Sequence, residues 1–150
     1  MKILIGLHDS AAAKEALDYV RGQNWPAGTQ ALLVAAHEAS HQSFTQSYDA
    51  PRESVKEVFD HDADSTRSFV ANAEHDLRNH GLQIETRVTQ GNPREAIVEA
   101  AVDEHVDLIV LGARDRSALT RVIEGSVAAH VVAHAPCNVL VVKHARSPVN

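Results

Sequence analysis

The sequence predicts an α/β fold: one open sheet of five parallel strands with helices on both faces. Three observations predict it. Short runs of Ile, Leu and Val alternate along the chain with segments of helical periodicity. Most of these runs are apolar at every position, as strands buried on both faces are. The segments between them are long enough for helical crossovers, which join parallel strands.

The 150 residues suit one domain, residues 1–150, with a core of its own. Hydrophobic residues make up 44% and charged residues 23%, which excludes wholesale disorder. Against 14 Lys and Arg stand 20 Asp and Glu, a net charge of −6, so no nucleic-acid partner is expected. A single Cys excludes an intrachain disulfide and a multi-cysteine zinc site. No apolar run approaches the roughly 20 residues of a membrane helix, and the Met1–Leu7 run is too short for a secretory leader. A cytoplasmic protein with no membrane partner is the expectation.

Lys2 to Leu7 reads as the first buried strand. Ser10 offers an N-cap, and Ala13, Ala16, Leu17 and Val20 follow at helical spacing until Gly22 and Pro26. Trp25 is expected to pack over the end of this helix. Thr29 to Ala36 is a second buried strand centred on Leu32-Leu33-Val34. Residues 39 to 54 lack periodicity and form the longest loop, with Tyr48 a candidate cover for a bound base. A long helix follows, its apolar face marked by Val55, Val58, Phe59, Phe69, Val70, Ala73 and Leu77 and its end by Gly81. In Gln83 to Thr89, Ile84, Thr86 and Val88 alternate with Glu85, Arg87 and Thr89, so one face is wet and the strand belongs at an edge. Asn92-Pro93-Arg94-Glu95 starts a helix with a cap, a proline in first position and a Glu three residues on. Ile97, Val98, Ala101 and Val102 give its buried face. Asp107 to Leu111 is another buried strand, ending at Gly112. A polar loop over 113–124 leads to a helix from Gly125-Ser126 through Ala135, which Pro136 stops. Asn138 to Val142 is the last strand, and Arg146 to Asn150 reads as a frayed tail.

Right-handed crossovers, a dry first strand at the centre and a wet third strand at one edge lead to the strand order 3-2-1-4-5. The last strand then lies at the other edge, yet it is apolar on both faces. An exposed apolar edge invites pairing. A homodimer through Asn138 to Val142, about a two-fold axis, is the expectation. The plainer reading has the C-terminal tail folding over that edge.

Open α/β sheets bind ligands beyond the carboxyl ends of their strands, where the winding direction reverses. Here that is the crevice between the first and fourth strands. Leu7-His8-Asp9-Ser10 line one side and Leu111 to Val127 the other. Gly112 has no side chain to block an approaching ligand. Gly125-Ser126-Val127 opens a helix, whose free N–H groups and dipole suit an anion. Arg114, Arg116 and Arg121 add positive charge, so a phosphate ligand follows. Neither a Gly-Lys-Ser/Thr phosphate loop nor a Gly-x-Gly-x-x-Gly turn is present.

These residues resemble the universal stress protein family. The resemblance lies in Asp107-Leu108-Ile109-Val110-Leu111-Gly112, in Gly125-Ser126-Val127-Ala128 and in His134-Ala135-Pro136-Cys137-Asn138 with the Val-Leu-Val-Val run after it. Gly91-Asn92-Pro93 and the strand–Asp-Ser–helix start share it. It covers essentially the whole chain and is weakest over 38–80. It implies a Rossmann-like fold of the adenine nucleotide α-hydrolase-like kind, a stress-response role, and ATP binding with at most slow hydrolysis. It places Leu7, His8, Asp9, Ser10, Val34, Leu111, Gly112, Asp115, Gly125, Ser126 and Val127 at the nucleotide. Mg²⁺ is expected if ATP binds, and no residue is expected to be catalytic.

The nucleotide-binding branch of that family carries Gly-x-x-Gly, nine residues, then Gly-Ser or Gly-Thr. The spacing is kept from Gly112 to Gly125-Ser126, but Asp115 replaces the second Gly. The first-strand turn also departs: His8 stands two before Ser10, where the family commonly has Asp. Asp tolerates the left-handed backbone that Gly allows, so the loop's shape survives. Its carboxylate near a phosphate is the larger problem. Two like charges about 4 Å apart cost roughly 1–4 kcal/mol between bulk water and a protein surface, or about one to three decades of affinity. The arginines offset part of this, and a bridging Mg²⁺ would reverse it. The expected function is a stress-response dimer whose degenerate ATP cleft senses nucleotide without turnover. The alternative is a nucleotide-free dimeric interaction module of the same family, with a protein partner the sequence does not name.

Other constellations have plainer readings. His130 and His134 lie four apart on one helix, and surface or dimer-edge histidines are the favoured reading. His8, His37 and His41 form a weak candidate metal set, and no metal ligand is assigned. Cys137 reads as a small buried thiol rather than a nucleophile. A phospho-receiver would need an acceptor Asp after the third strand, where Gln90-Gly91-Asn92 stands. A dehydrogenase would need the glycine fingerprint and a substrate domain.

Overall fold

The computed structural model describes residues 1–8, 10–37, 52–113 and 126–143. Five strands and four helices alternate: β1 (Lys2–Leu7), α1 (Ser10–Gly22), β2 (Gln30–His37), α2 (Arg52–Asn79), β3 (Gln83–Gln90), α3 (Pro93–Asp103), β4 (Leu108–Gly112), α4 (Ser126–His134) and β5 (Asn138–Val142). The strands form one parallel sheet in the order β3-β2-β1-β4-β5, as the sequence predicts.

Successive side chains divide the core into two layers. Ile3, Ile5 and Leu7 of β1, with Ala31, Leu33 and Ala35 of β2, pack against Ala13, Ala16, Leu17 and Val20 of α1 and Val70, Ala73 and Leu77 of α2. On the other face Leu4, Leu32, Val34, Ile109 and Leu111 meet Ile97, Ala100 and Ala101 of α3 and Val127, Ala128 and Val131 of α4. Ile3, Leu4 and Ile5 are wholly buried.

Two glycines let these layers close. A Cβ on Gly112 would stand 1.7 Å from the carbonyl oxygen of Ala12 and 2.4 Å from its carbon, so β4 touches the backbone of the first turns of α1. The space a side chain would take at Gly112 is filled by this helix. A Cβ on Gly6 would meet Leu111 Cδ2 at 2.4 Å and Ile97 Cδ1 at 2.8 Å, the movable ends of two side chains.

Several local expectations are corrected. Ser10 lies in the first turn of α1 rather than capping it from outside. β2 runs one residue later than expected, because Thr29 is held in the preceding turn, its hydroxyl donating to Pro26 O at 2.6 Å. α2 starts at Arg52, inside the segment expected to be loop, and α4 ends at His134 rather than Ala135. Ala135 N–H still donates to Val131 O at 2.8 Å. The alternation in β3 is imperfect: Ile84 is buried and Val88 half-buried, but Thr86 is exposed. Its supposedly wet face is partly covered, since Arg87 and Thr89 are half-buried on the α3 side. Tyr48, the loop over 114–124 and the tail from 146 lie outside the described residues.

Helix ends follow local chemistry. Asn92 caps α3, its Oδ1 accepting from Arg94 N–H at 3.0 Å, ahead of Pro93 in the first turn. Gly81, at φ 85, takes the left-handed position after α2. His105, at φ 51, takes the equivalent position after α3, where no glycine marks the helix end. Trp25 Nε1 donates to Val20 O at 2.8 Å, pinning the indole over the end of α1. Among the described residues no helix is long and apolar enough to cross a membrane.

An ion-pair network ties α3 to the sheet. Glu104 Oε2 lies 2.6 Å from Lys2 Nζ, and its Oε1 lies 2.6 Å from Arg87 Nη2. Lys2 and Asp107 are joined twice, by Lys2 N–H to Asp107 Oδ2 and by Asp107 N–H to Lys2 O, both at 2.8 Å. The hydrogen bond and charge of Lys2, helped by Arg87, hold the Glu104 carboxyl below the usual carboxylate range.

Two predictions follow from these contacts. Gly112→Ala should cost about 3 kcal/mol or more, because backbone must move, and Gly6→Ala about 1–2 kcal/mol, because side-chain ends can give. Urea unfolding of both variants checks the order. The lowered Glu104 pKa stabilises the fold above the ordinary carboxylate range, and that contribution is lost as pH falls through the folded value. Glu104→Gln should therefore lower Tm at neutral pH, and its deficit against wild type should shrink below about pH 4 in thermal melts.

Candidate functional site

The winding direction reverses at β1. α1 and α2 carry the chain over one face toward β3, and α3 and α4 return it over the other toward β5. The carboxyl ends of the central strands therefore open beneath diverging connections, where side chains from several elements can converge.

A cleft of about 350 Å³ lies at the ends of β1 and β2, between α1 and α2. Its apolar walls are Leu7, Ala13, Ala35, Ala36 and Phe69, and its polar groups are His8, Ser65 and Thr66. The space exists because three of the wall positions are alanine. An apolar slot with one imidazole and two hydroxyls at its edge suits a flat heteroaromatic ring: the walls exclude water from its faces while the polar groups can bond its edge.

The cleft draws on the sequence-predicted positions unevenly. Leu7 and His8 line it. Val34 and Leu111 do not: both are fully buried in the layer against α3 and α4. In β2 it is the next two residues, Ala35 and Ala36, that reach the cleft. Gly112 abuts α1, and Val127 packs in the core beneath α4. Ser10 and Ser126 are the first residues of α1 and α4. Asp9, Asp115 and Gly125 lie outside the described residues. The expected crevice between β1 and β4 is thus described on one side only, and the cleft lies one strand over, toward β2.

Ser65, Thr66 and Phe69 were missed by sequence reasoning. They sit in the middle of α2, far in sequence from any motif. One signal was present: Thr66 stands four residues before Val70 and seven before Ala73, so it places a hydroxyl on the apolar stripe of the helix.

A second cavity, of about 280 Å³, lies between β3 and α3. Glu95, Glu99 and Asp103 line it at successive turns of α3, opposite Arg87. Its carboxylates make it a poor match for an anionic ligand. Thr89 Oγ1, on its wall, is buried without a hydrogen-bond partner among the described residues.

Cys137 is half-buried against the α3–α4 layer. Burial first, and the charge of Asp107 second, push its thiol up, so it is a protonated packing group rather than a thiolate. Among the described residues no three His, Cys, Asp or Glu side chains converge as a metal site. His41, one of the three histidines considered together, lies outside the described residues.

Comparison with known proteins places this arrangement. The universal stress protein Sll1388 of Synechocystis is 26% identical over 150 residues, covering 95% of this chain and 97% of that one. The universal stress protein MJ0531 of Methanocaldococcus jannaschii is 44% identical over 63 residues, 42% of this chain; the chain spans 37% of that relative's length. The solved structure of MJ0577, from the same archaeon, superposes with a TM-score of 0.78 at 24% identity over 97% of both chains. A universal stress protein solved in complex with cAMP gives 0.63 at 20% identity over 95% of this chain and 96% of that one. A family protein from Arabidopsis thaliana solved with AMP bound gives 0.64 at 17% identity, over 97% of this chain and 92% of that one. At these identities the structural likenesses show the fold. The model of the universal stress protein family matches residues 1–143. The chain belongs to the universal stress protein family.

Proposed function

We propose that this protein binds an adenine nucleotide, ATP in the first instance, in the cleft at the carboxyl ends of β1 and β2, and that it senses the nucleotide rather than turning it over. The observation that carries this reading is the cleft itself, apolar on its walls and edged by His8, Ser65 and Thr66 at the point where the sheet reverses. Two proteins of the same fold, solved with cAMP and with AMP, support the ligand class. The adenine ring lies against Phe69 and the alanines. The phosphates run toward the segment from Gly112 to Ser126, where the arginines and the start of α4 favour them. Asp115 opposes them, and Mg²⁺ bridging its carboxylate to phosphate oxygens turns that repulsion into a contact.

The protein acts as a homodimer through β5. Among the described residues β5 is an edge strand paired with β4 alone, and Val139, Leu140, Val141 and Val142 are each half-buried. Antiparallel pairing with the same strand of a second copy would satisfy its free backbone groups and cover these side chains.

Calorimetric titration of ATP into nucleotide-stripped protein, with Mg²⁺ and then with EDTA, tests the nucleotide reading. Binding that weakens in EDTA is expected. Asp115→Gly should tighten binding in EDTA by about one to three decades, and Thr66→Trp, which fills the cleft, should remove it. No heat at millimolar ATP, together with no shift in Tm, would leave an interaction module without nucleotide. For the dimer, light scattering at micromolar concentration should give twice the 16.3 kDa of one chain. Leu140→Asp should give a monomer; a monomer mass for the wild type overturns this part.

A further inference from the structure

We propose that His130 and His134, one turn apart in the carboxyl half of α4, form a two-imidazole site for a divalent transition metal of borderline softness, such as Cu²⁺, Ni²⁺ or Zn²⁺. Residues four apart on a helix are neighbours on one face. Here the two rings already lie together, with centroids 4.2 Å apart and planes inclined by 22°. His134 Nδ1 lies 2.8 Å from the backbone oxygen of His130. A carbonyl oxygen can only accept, so Nδ1 carries the hydrogen, and in the neutral ring the lone pair is on Nε2. Such a bond from the non-ligating nitrogen to a backbone carbonyl is how metal-binding histidines are held in tautomer and orientation.

Closing on an ion exchanges the ring stack for two metal–nitrogen bonds. Imidazole nitrogens bind these metals at about 2.0–2.1 Å, so two ligating nitrogens lie within roughly 4 Å of each other at most. In the stack the in-plane lone pairs run nearly parallel, so the His130 ring must turn out of it about χ1 and χ2 until its lone pair converges with that on His134 Nε2. Both residues are accessible: His130 is half-buried and His134 exposed. The C-terminal end of a helix carries partial negative charge, which favours a cation there, and the chain's net charge of −6 acts in the same sense. Among the described residues no third protein ligand converges, so water completes the coordination. An imidazole-only donor set selects Cu²⁺, Ni²⁺ and Zn²⁺ over Mg²⁺ and Ca²⁺, which prefer oxygen. The site is independent of the nucleotide cleft: α4 packs on the opposite face of the sheet from α1 and α2.

Cu²⁺ is the probe, because it binds nitrogen sites tightest among these ions and broadens nearby NMR signals. Sub-stoichiometric Cu²⁺ is titrated into the tag-free chain while backbone amide signals are followed. The amides of His130 to His134 should broaden first, and Mg²⁺ at the same concentration should change nothing. His130→Gln and His134→Gln should each abolish this broadening and lower the bound copper by about one equivalent. Both variants keep the wild-type Tm, since neither side chain lies in the core. Broadening that begins instead around His75, His80 or His105, or that persists at α4 in both variants, overturns the proposal.

Discussion

Burial of β1 on both faces is the constraint on which the rest of the structure depends. Ile3 and Ile5 point into one layer and Leu4 into the other, and all three are excluded from water. A strand with no polar face must sit inside the sheet and be covered twice. Since it is also the first strand, the chain has to build outward from it in both directions. With right-handed crossovers, that requirement places α1 and α2 on one face and α3 and α4 on the other. The reversal at the carboxyl end of β1, and the cleft beside it, follow from the same burial.

The contact between Gly112 and Ala12 joins this architecture to the site. α1 spans the layer over β1, β4 and β5, and its first turns come down onto β4 where a side chain would exclude them. The same turns supply Ala13 to the cleft wall. A residue read as giving a ligand room therefore sets the position of the helix that bounds the site. A single sequence does not distinguish this packing role from a role at a ligand, because both require the absence of a Cβ.

The two edges of the sheet are handled differently. β3 carries Glu85, Arg87 and Thr86 among its apolar residues, and Arg87 is drawn into ion pairs with Glu104 and Asp103. Charge of this kind discourages association through an edge. β5 has four apolar residues in succession and no charge. Lys2, Glu104, Arg87 and Asp107 fasten the amino ends of β1 and β4 and the end of α3, while the cleft lies at the opposite, carboxyl ends of β1 and β2. Rigid support at one end of the sheet and small, adaptable residues at the other are compatible demands because parallel strands separate them.

The sequence by itself determined the strand order, the two edges, the covering of both faces by helices and most element boundaries to within a residue. These features rest on information local to each segment: runs of apolar residues, the period of their repetition, the cap at Asn92 and the stop at Gly81. Where a local signal was lacking, legibility failed. α3 ends at Asp103, with His105 rather than a glycine in the left-handed position that follows, and α2 begins inside a polar stretch. The site was legible only where it touches a strand end, at Leu7 and His8. In β2 the cleft takes Ala35 and Ala36 rather than Val34, and no residue of β4 lines it. Thr66 and Phe69 came to the cleft from a helix more than fifty residues away in sequence. Only the tertiary structure decided these matters, because a cleft is made by the packing of elements against one another, and no segment carries in its own residues the distance to the segment it will meet.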